Sequence, residues 1–318
     1  MTGTAIERYK ALDRAFVERA GRGMKLYAQF SALASLSTDT DAALQAERAF
    51  AIRDQLNEGL GAWRSPAKSM RLVFAAALAA SGRTSEHFFA ARAALAERRK
   101  ARGGRHLMHG GACAALALVS SGGQGHQADS FYDILEAIAA PWWRRDAGRE
   151  EVVAAIFAGL GETPDDALRY LSSARQSLRE AGIPKAAAEA AACEIAFQKY
   201  DPEAIGPAWE SLTKGLRKHG ALRSGIGKTG LAVAAAHGNG PDIGKALVQT
   251  YQALKADKSL RLSSDVAAKL ALRLTLADRG DVAPIAAARD LAAILAAQTA
   301  MIVAATSATV AATTVATT

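Results

Sequence analysis

The chain has almost no strand pattern, few aromatic residues and only two cysteines among 318 residues. Valine and isoleucine are sparse and rarely alternate with polar residues, so the period-two signal of a half-buried β-strand is missing. Cys113 and Cys193 are too few for a disulfide framework in a chain of this length, which predicts a reduced, cytoplasmic setting. The opening M-T-G-T-A-I-E-R lacks the apolar run of a signal peptide. No G-x-S-x-G elbow and no D-D-x-x-D arrangement occurs. Serine hydrolase chemistry and diphosphate–Mg²⁺ chemistry therefore have no visible basis.

Charge is missing from one region only. After Asp290 no charged residue occurs, and the run is mostly alanine and threonine with Gln298 inside it. It is long enough to span a bilayer, but no basic or Trp/Tyr anchor follows it. Leu291, Ile294, Leu295, Ile302 and Ala305 fall at helical spacing. The expectation is a last helix packed on the body, fraying from about Ser307, rather than a membrane anchor.

What the chain does have is alanine, with hydrophobic residues at 50% of the total and aromatics at only 6%. Alanine loses no side-chain entropy in a helix and lets helices approach closely. The fold class is all-α. Glycine and proline clusters, such as Gly161-Glu162-Thr163-Pro164, Gly182-Ile183-Pro184 and Gly238-Asn239-Gly240-Pro241, punctuate the chain into units of two helices. A first helix carries an aromatic and leucine stripe, and a second is short and small-residue rich. Leu178, Leu216 and Leu254, which end successive first helices, lie 38 residues apart.

Neither helix of such a unit can bury its apolar face alone, so the units must stack. This predicts stacked helical hairpins forming an α-solenoid or a closed helical toroid. The expected layout is capping helices over 1–41, about six hairpin repeats over 42–281, a C-terminal capping helix over 282–306 and an Ala/Thr-rich tail over 307–318. The aromatic-to-leucine first helices, small-residue second helices and alanine-rich end together resemble a bacterial family of all-helical proteins of unknown function. That resemblance spans nearly the full length and implies an all-helical fold. It carries no catalytic residues across.

Net charge is +8 with a pI near 9.6. That balance favours encounter with an acidic partner without identifying it. Two clusters concentrate it. Arg98, Arg99 and Arg102 sit at a helix C-terminus, where cations also suit the helix dipole. Trp142, Trp143, Arg144 and Arg145 set aromatic rings beside guanidinium groups, a pairing that stacks bases or clamps acidic peptides. Tryptophan also serves as a plug between stacked helix pairs.

The most metal-like stretch is H-L-M-H-G-G-A-C. As a helix it would place His106, His109 and Cys113 on one face, with His126 returning toward them, a set suited to Zn²⁺. Against that, Cys113 and Cys193 occupy equivalent repeat slots where a small apolar residue is wanted. The stretch S-G-I-G-K-T-G, Ser224 to Gly230, looks like a phosphate-binding turn. It lacks the first glycine, Leu222 standing in that place, and no strand precedes it. Its small residues read as second-helix packing. Paired carboxylates occur at Asp39/Asp41, Asp165/Asp166 and Glu150/Glu151.

The function expected from this pattern is a non-enzymatic helical-repeat scaffold with a protein or peptide partner on its concave face and no cofactor. A nucleic-acid-binding repeat protein is the alternative. A helical-toroid enzyme with a metal site near His106, His109 and His126 is the third reading.

Overall fold

A computed structural model describes residues 3–61, 65–140, 146–197 and 200–278. The segments expected to form a C-terminal helix and tail lie outside the described residues, as do Trp142, Trp143, Arg144 and Arg145. Among the described residues there are fourteen α-helices and no strand. In chain order they are α1 (Gly3–Ala20), α2 (Lys25–Ala34), α3 (Ala42–Gly59), α4 (Arg71–Ala80), α5 (Ser85–Arg102), α6 (Ala112–Ser120) and α7 (Ala128–Ile138). Then follow α8 (Ala147–Gly159), α9 (Pro164–Glu180), α10 (Lys185–Ile195), α11 (Pro202–Gly215), α12 (Gly220–Ala236), α13 (Gly240–Ala256) and α14 (Ser264–Ala277). No helix among these residues is long and apolar enough to cross a membrane.

Local chemistry sets the helix ends. Asp41 accepts from the Ala43 and Leu44 amides at 2.9 and 3.2 Å to start α3. Thr163 accepts from the Asp166 amide at 3.2 Å, with Pro164 in the first turn of α9. Ser263 does the same for α14 through the Val266 amide at 3.3 Å. Each satisfies a donor that the first turn leaves orphaned. The exits repeat one device. Gly82, Gly122, Gly161 and Gly182 all have positive φ. The next residue's amide then reaches back five residues, as in Arg83 to Leu78 O at 2.8 Å, Gly123 to Leu118 O at 2.9 Å and Glu162 to Phe157 O at 3.0 Å. This left-handed turn satisfies late carbonyls while reversing the chain.

Burial separates the helices into two kinds. In α9 the buried apolar positions are Ala167, Leu171, Ala174 and Leu178, one stripe at helical spacing. In α4, α6 and α8 every residue over 71–79, 112–120 and 151–158 is buried. A helix buried all round must be covered on every side, and its small side chains permit that approach. The packing of the helices agrees. Each odd-numbered helix packs on the even-numbered helix that follows it and on the next odd one. The even helices form a second layer, with α2 on α4, α4 on α6, α6 on α8, α10 on α12 and α12 on α14.

The two ends of the described chain touch. Helix α1 packs against α14, and the Ala5 amide donates to Asp278 Oδ1 at 3.1 Å. Lys25 Nζ donates to Ser259 O at 2.9 Å, and Gln29 Nε2 to Leu260 O at 3.1 Å.

Candidate functional site

The structure ties down the first predicted basic cluster. Arg98 pairs with Asp129 and Arg102 with Asp133, so α5 is laced to α7. Arg99 Nη1 lies 3.0 Å from His106 Nδ1. Two of the three charges that suggested a ligand surface, Arg98 and Arg102, therefore pair with carboxylates of α7.

The metal-like stretch is not a helix over its histidines. His109, Gly110 and Gly111 have φ of 51°, 63° and 75°, which turns the chain before α6 begins at Ala112. His106, His109 and His126 are exposed, while Cys113 is buried inside α6. Among the described residues, no group of three or more His, Cys, Asp or Glu side chains is placed to hold a metal ion. The expected common face does not form because positive φ breaks the helical register that defined it.

The phosphate-turn lookalike lies inside α12. Gly227 has φ 70° and kinks that helix between Ile226 and Lys228. A Cβ on Gly225 would meet Ala268 Cβ at 2.6 Å, and one on Gly230 would meet Leu272 Cδ2 at 2.8 Å. These glycines admit α14 rather than a phosphate.

The paired carboxylates divide their labour. Asp41 and the Thr163–Asp166 pair serve helix starts, as above. Glu150 accepts from the Ala140 amide at 3.2 Å and pairs with Arg105 at 3.4 Å. Glu151, 1% exposed, accepts the Met108 amide at 2.9 and 3.0 Å with its two oxygens. Burial pushes the Glu151 carboxyl up to about 7, against the pull of the Met108 N–H and Arg105. Adjacent residues at the start of α8 thus hold two separate connecting segments.

A cleft opens beside those segments, where the even-helix layer is interrupted. Helices α8 and α10 do not pack on each other as their neighbours do. A cavity of about 400 Å³ occupies the gap. Its apolar side is Ile138, the alanines around it and Leu168, which is 41% exposed. Its charged side is Asp146, Arg149, Glu150, Arg175, Lys185 and Glu189. Asp146 caps α8 through the Arg149 amide at 3.3 Å and pairs with the Arg149 guanidinium at 3.5 Å. Arg175 on α9 pairs with Glu189 on α10 at 2.8 Å. Lys185, exposed at the first position of α10, has no ion-pair partner among the described residues.

Cys193 completes the wall. Burial is the main reason that its thiol is pushed up to about 11. A thiol held protonated at neutral pH is not a nucleophile. The cleft can therefore grip charged and apolar groups, and nothing in its wall is primed to attack them.

Of the α9 and α10 wall residues, Leu168, Arg175, Lys185 and Glu189 were not singled out from sequence, and Cys193 was read only as a small core residue. A signal existed. In K-A-A-A-E-A-A-A-C, Lys185, Glu189 and Cys193 stand at i, i+4 and i+8, the only non-alanine stripe over that span of α10. Comparison with protein-family models, with curated proteins and with solved structures found no match.

Proposed function

We propose that this chain is a non-enzymatic binding protein, a closed ring of helical hairpins that seats a segment of a protein or peptide partner in the α7–α10 cleft. A closed toroid is preferred over an open solenoid because α1 and α2 meet the segment around Asp257 to Leu260 and Asp278. The observation that carries the binding reading is the interruption of the even-helix layer between α8 and α10. Everywhere else along that layer, from α2 to α8 and from α10 to α14, consecutive helices close on each other. A gap retained in an otherwise close-packed layer costs dispersion contacts, and a ligand that fills it restores them.

The cavity is the size of a few side chains, within the range of specific pockets. Leu168 and Ile138 supply the apolar contact that anchors a peptide side chain, and Lys185 supplies a free cation at the rim. Catalysis is not supported by the groups at hand. Glu150 and Glu151 are committed to backbone amides, and the Cys193 thiol is protonated.

Panning a phage-displayed random peptide library against the full chain tests this. The expected result is an enriched motif with an apolar residue and an acidic group. Its affinity should fall about tenfold or more on Leu168→Asp and on Lys185→Glu. A library that yields no enrichment, or peptides that bind both variants as well as the parent, removes the cleft from consideration.

A further inference from the structure

A second surface, on the α11–α12 hairpin, carries charge that the fold does not use. No acidic residue lies between Glu210 and Asp242. In that span Lys214, Arg217, Lys218, Arg223 and Lys228 are all exposed. Among the described residues none of the five forms an ion pair, although Glu210 stands one turn before Lys214. The nearby carboxylates are engaged elsewhere, Glu194 with Arg273 and Asp265 with Lys269.

Structure alone accounts for some of these cations. Lys214, Arg217 and Lys218 follow the end of α11, where positive charge suits the helix dipole. Arg223 and Lys228 do not fit that account. Arg223 closes the first turn of α12, where the dipole disfavours a cation, and Lys228 follows the Gly227 kink in mid-helix, away from either end of α12. Five exposed cations, with no carboxylate in the sequence between Glu210 and Asp242, leave this hairpin a positive surface open to an anion from outside.

The surroundings say which kind. Among the described residues the exposed large apolar side chains are Leu26, Leu44, Met108, Leu168 and Tyr170, none of them on this hairpin. An anionic membrane surface is met by basic residues together with apolar groups that insert, and this patch has no such group. Trp209, the one aromatic ring of Phe, Tyr or Trp type on this hairpin, is partly buried against the core, which limits the face it offers to a stacked base. What remains is charge without apolar anchors, carried by the last turn of α11, the residues that follow it and the first half of α12. That matches a row of phosphates.

We propose that the α11–α12 hairpin is a sequence-independent binding surface for the phosphate backbone of double-stranded nucleic acid, formed by Lys214, Arg217, Lys218, Arg223 and Lys228. It is independent of the α7–α10 cleft and stands whether or not that cleft takes a peptide. Phosphates neutralised by these side chains release condensed counterions, so affinity falls with salt in proportion to the number of contacts. Three to five contacts give a slope of log K against log salt of about −3 to −4.5.

The test is fluorescence anisotropy of the full chain with a labelled random-sequence DNA duplex of about 24 base pairs at several salt concentrations. The expected result is binding at low salt with a slope in that range. The K214A/R217A/K218A variant should lose about tenfold or more at low salt and flatten the slope by about 2 to 3. Arg223→Glu with Lys228→Glu should abolish binding. All five side chains are exposed, and unchanged thermal melting of each variant confirms the fold. The control is R14A/R48A/R179A, which removes the same charge from exposed, unpaired positions on α1, α3 and α9 and should leave the affinity nearly unchanged.

Three results overturn the proposal. One is no binding at low salt. Another is equal loss in the control variant, which would make net charge the whole effect. The third is stronger association with phosphatidylserine vesicles or with a single strand than with the duplex.

Discussion

Lys10 Nζ lies 3.2 Å from Asp257 Oδ2, which ties α1 to the segment between α13 and α14. Close by, Asp13 is 7% exposed and its Oδ1 has no hydrogen-bond partner, nor has the buried hydroxyl of Tyr9 one turn earlier. Burial pushes the Asp13 carboxyl up to about 6, with Asp257 adding repulsion and Lys25 on α2 opposing both. The folded value lies above the unfolded one. The associated stability is therefore full below about pH 4 and is lost as pH rises through about 6. Asp13→Asn should stabilise the chain by about 1–3 kcal/mol at pH 8 and change little at pH 4. Urea unfolding at the two pH values measures this. Equal effects at both would refute the buried charge as the cause.

Glu151 gives a second titration with the same sign and a higher window. Its carboxyl is raised from 4.5 to about 7, so its contribution is complete below about pH 4.5 and declines as pH passes 7. Glu151→Gln keeps an acceptor for the Met108 amide and should flatten the stability profile across that window. Glu151→Ala leaves the amide without its partner, at a cost of about 1–3 kcal/mol. It should also speed tryptic cleavage at Arg105, because the segment before α6 loses its anchor. Cleavage at the parent rate would mean that Glu151 does not hold it.

Close packing predicts which part of S-G-I-G-K-T-G matters. Gly225→Ala adds a methyl 2.6 Å from Ala268 Cβ, and overpacking of that kind costs about 1–3 kcal/mol despite the better helix propensity of alanine. Lys228→Ala on the exposed side should be neutral within about 0.5 kcal/mol. Mg²⁺-ATP should shift the melting temperature of neither. A phosphate-binding turn would show the reverse order, with Lys228 decisive for nucleotide and Gly225 tolerant.

Helix class and hairpin boundaries were legible because they are written locally. Gly82, Gly122, Gly161 and Gly182 end helices by a backbone conformation that other residues rarely adopt, and Asp41, Thr163 and Ser263 begin them by capping. The histidine stretch misled for the converse reason. His109 adopts φ 51° without being glycine, and no local rule announces that. The cleft was harder still. The Lys185, Glu189 and Cys193 stripe is visible in sequence, but the parting of α8 from α10 is a property of how two layers close. Periodicity within one helix does not encode it.

Arg71 is the largest side chain buried to 2% exposure, and its guanidinium works as a fastener for the segment before α4. It donates to Pro66 O at 3.2 Å, Leu60 O at 3.2 Å, Gly61 O at 2.7 Å and Asn57 Oδ1 at 3.0 Å. Arg71→Met should cost about 3–5 kcal/mol by orphaning buried carbonyls. Arg71→Lys should recover less than half of that, since one ammonium cannot span the fork. Chemical unfolding of the three proteins settles the order, and full rescue by lysine would show that charge rather than shape is what counts.

Cys193 offers the most direct check on the absence of a nucleophile in the cleft. Its thiol is pushed up to about 11 by burial, and its Sγ lies 3.5 Å from Glu189 O one turn earlier. Cys113 is 5% exposed inside α6. At pH 7.5 both should resist iodoacetamide in the folded chain, Cys193 because only the thiolate reacts and little is present, and Cys113 because it is buried. Mass spectrometry of the labelled protein should find modification only after urea unfolding, when solvent and reagent reach both thiols. Modification of Cys193 in the native chain within minutes at neutral pH would mean a depressed thiol facing the cavity. That outcome would bring covalent chemistry back to this wall of the cleft and set the binding reading aside.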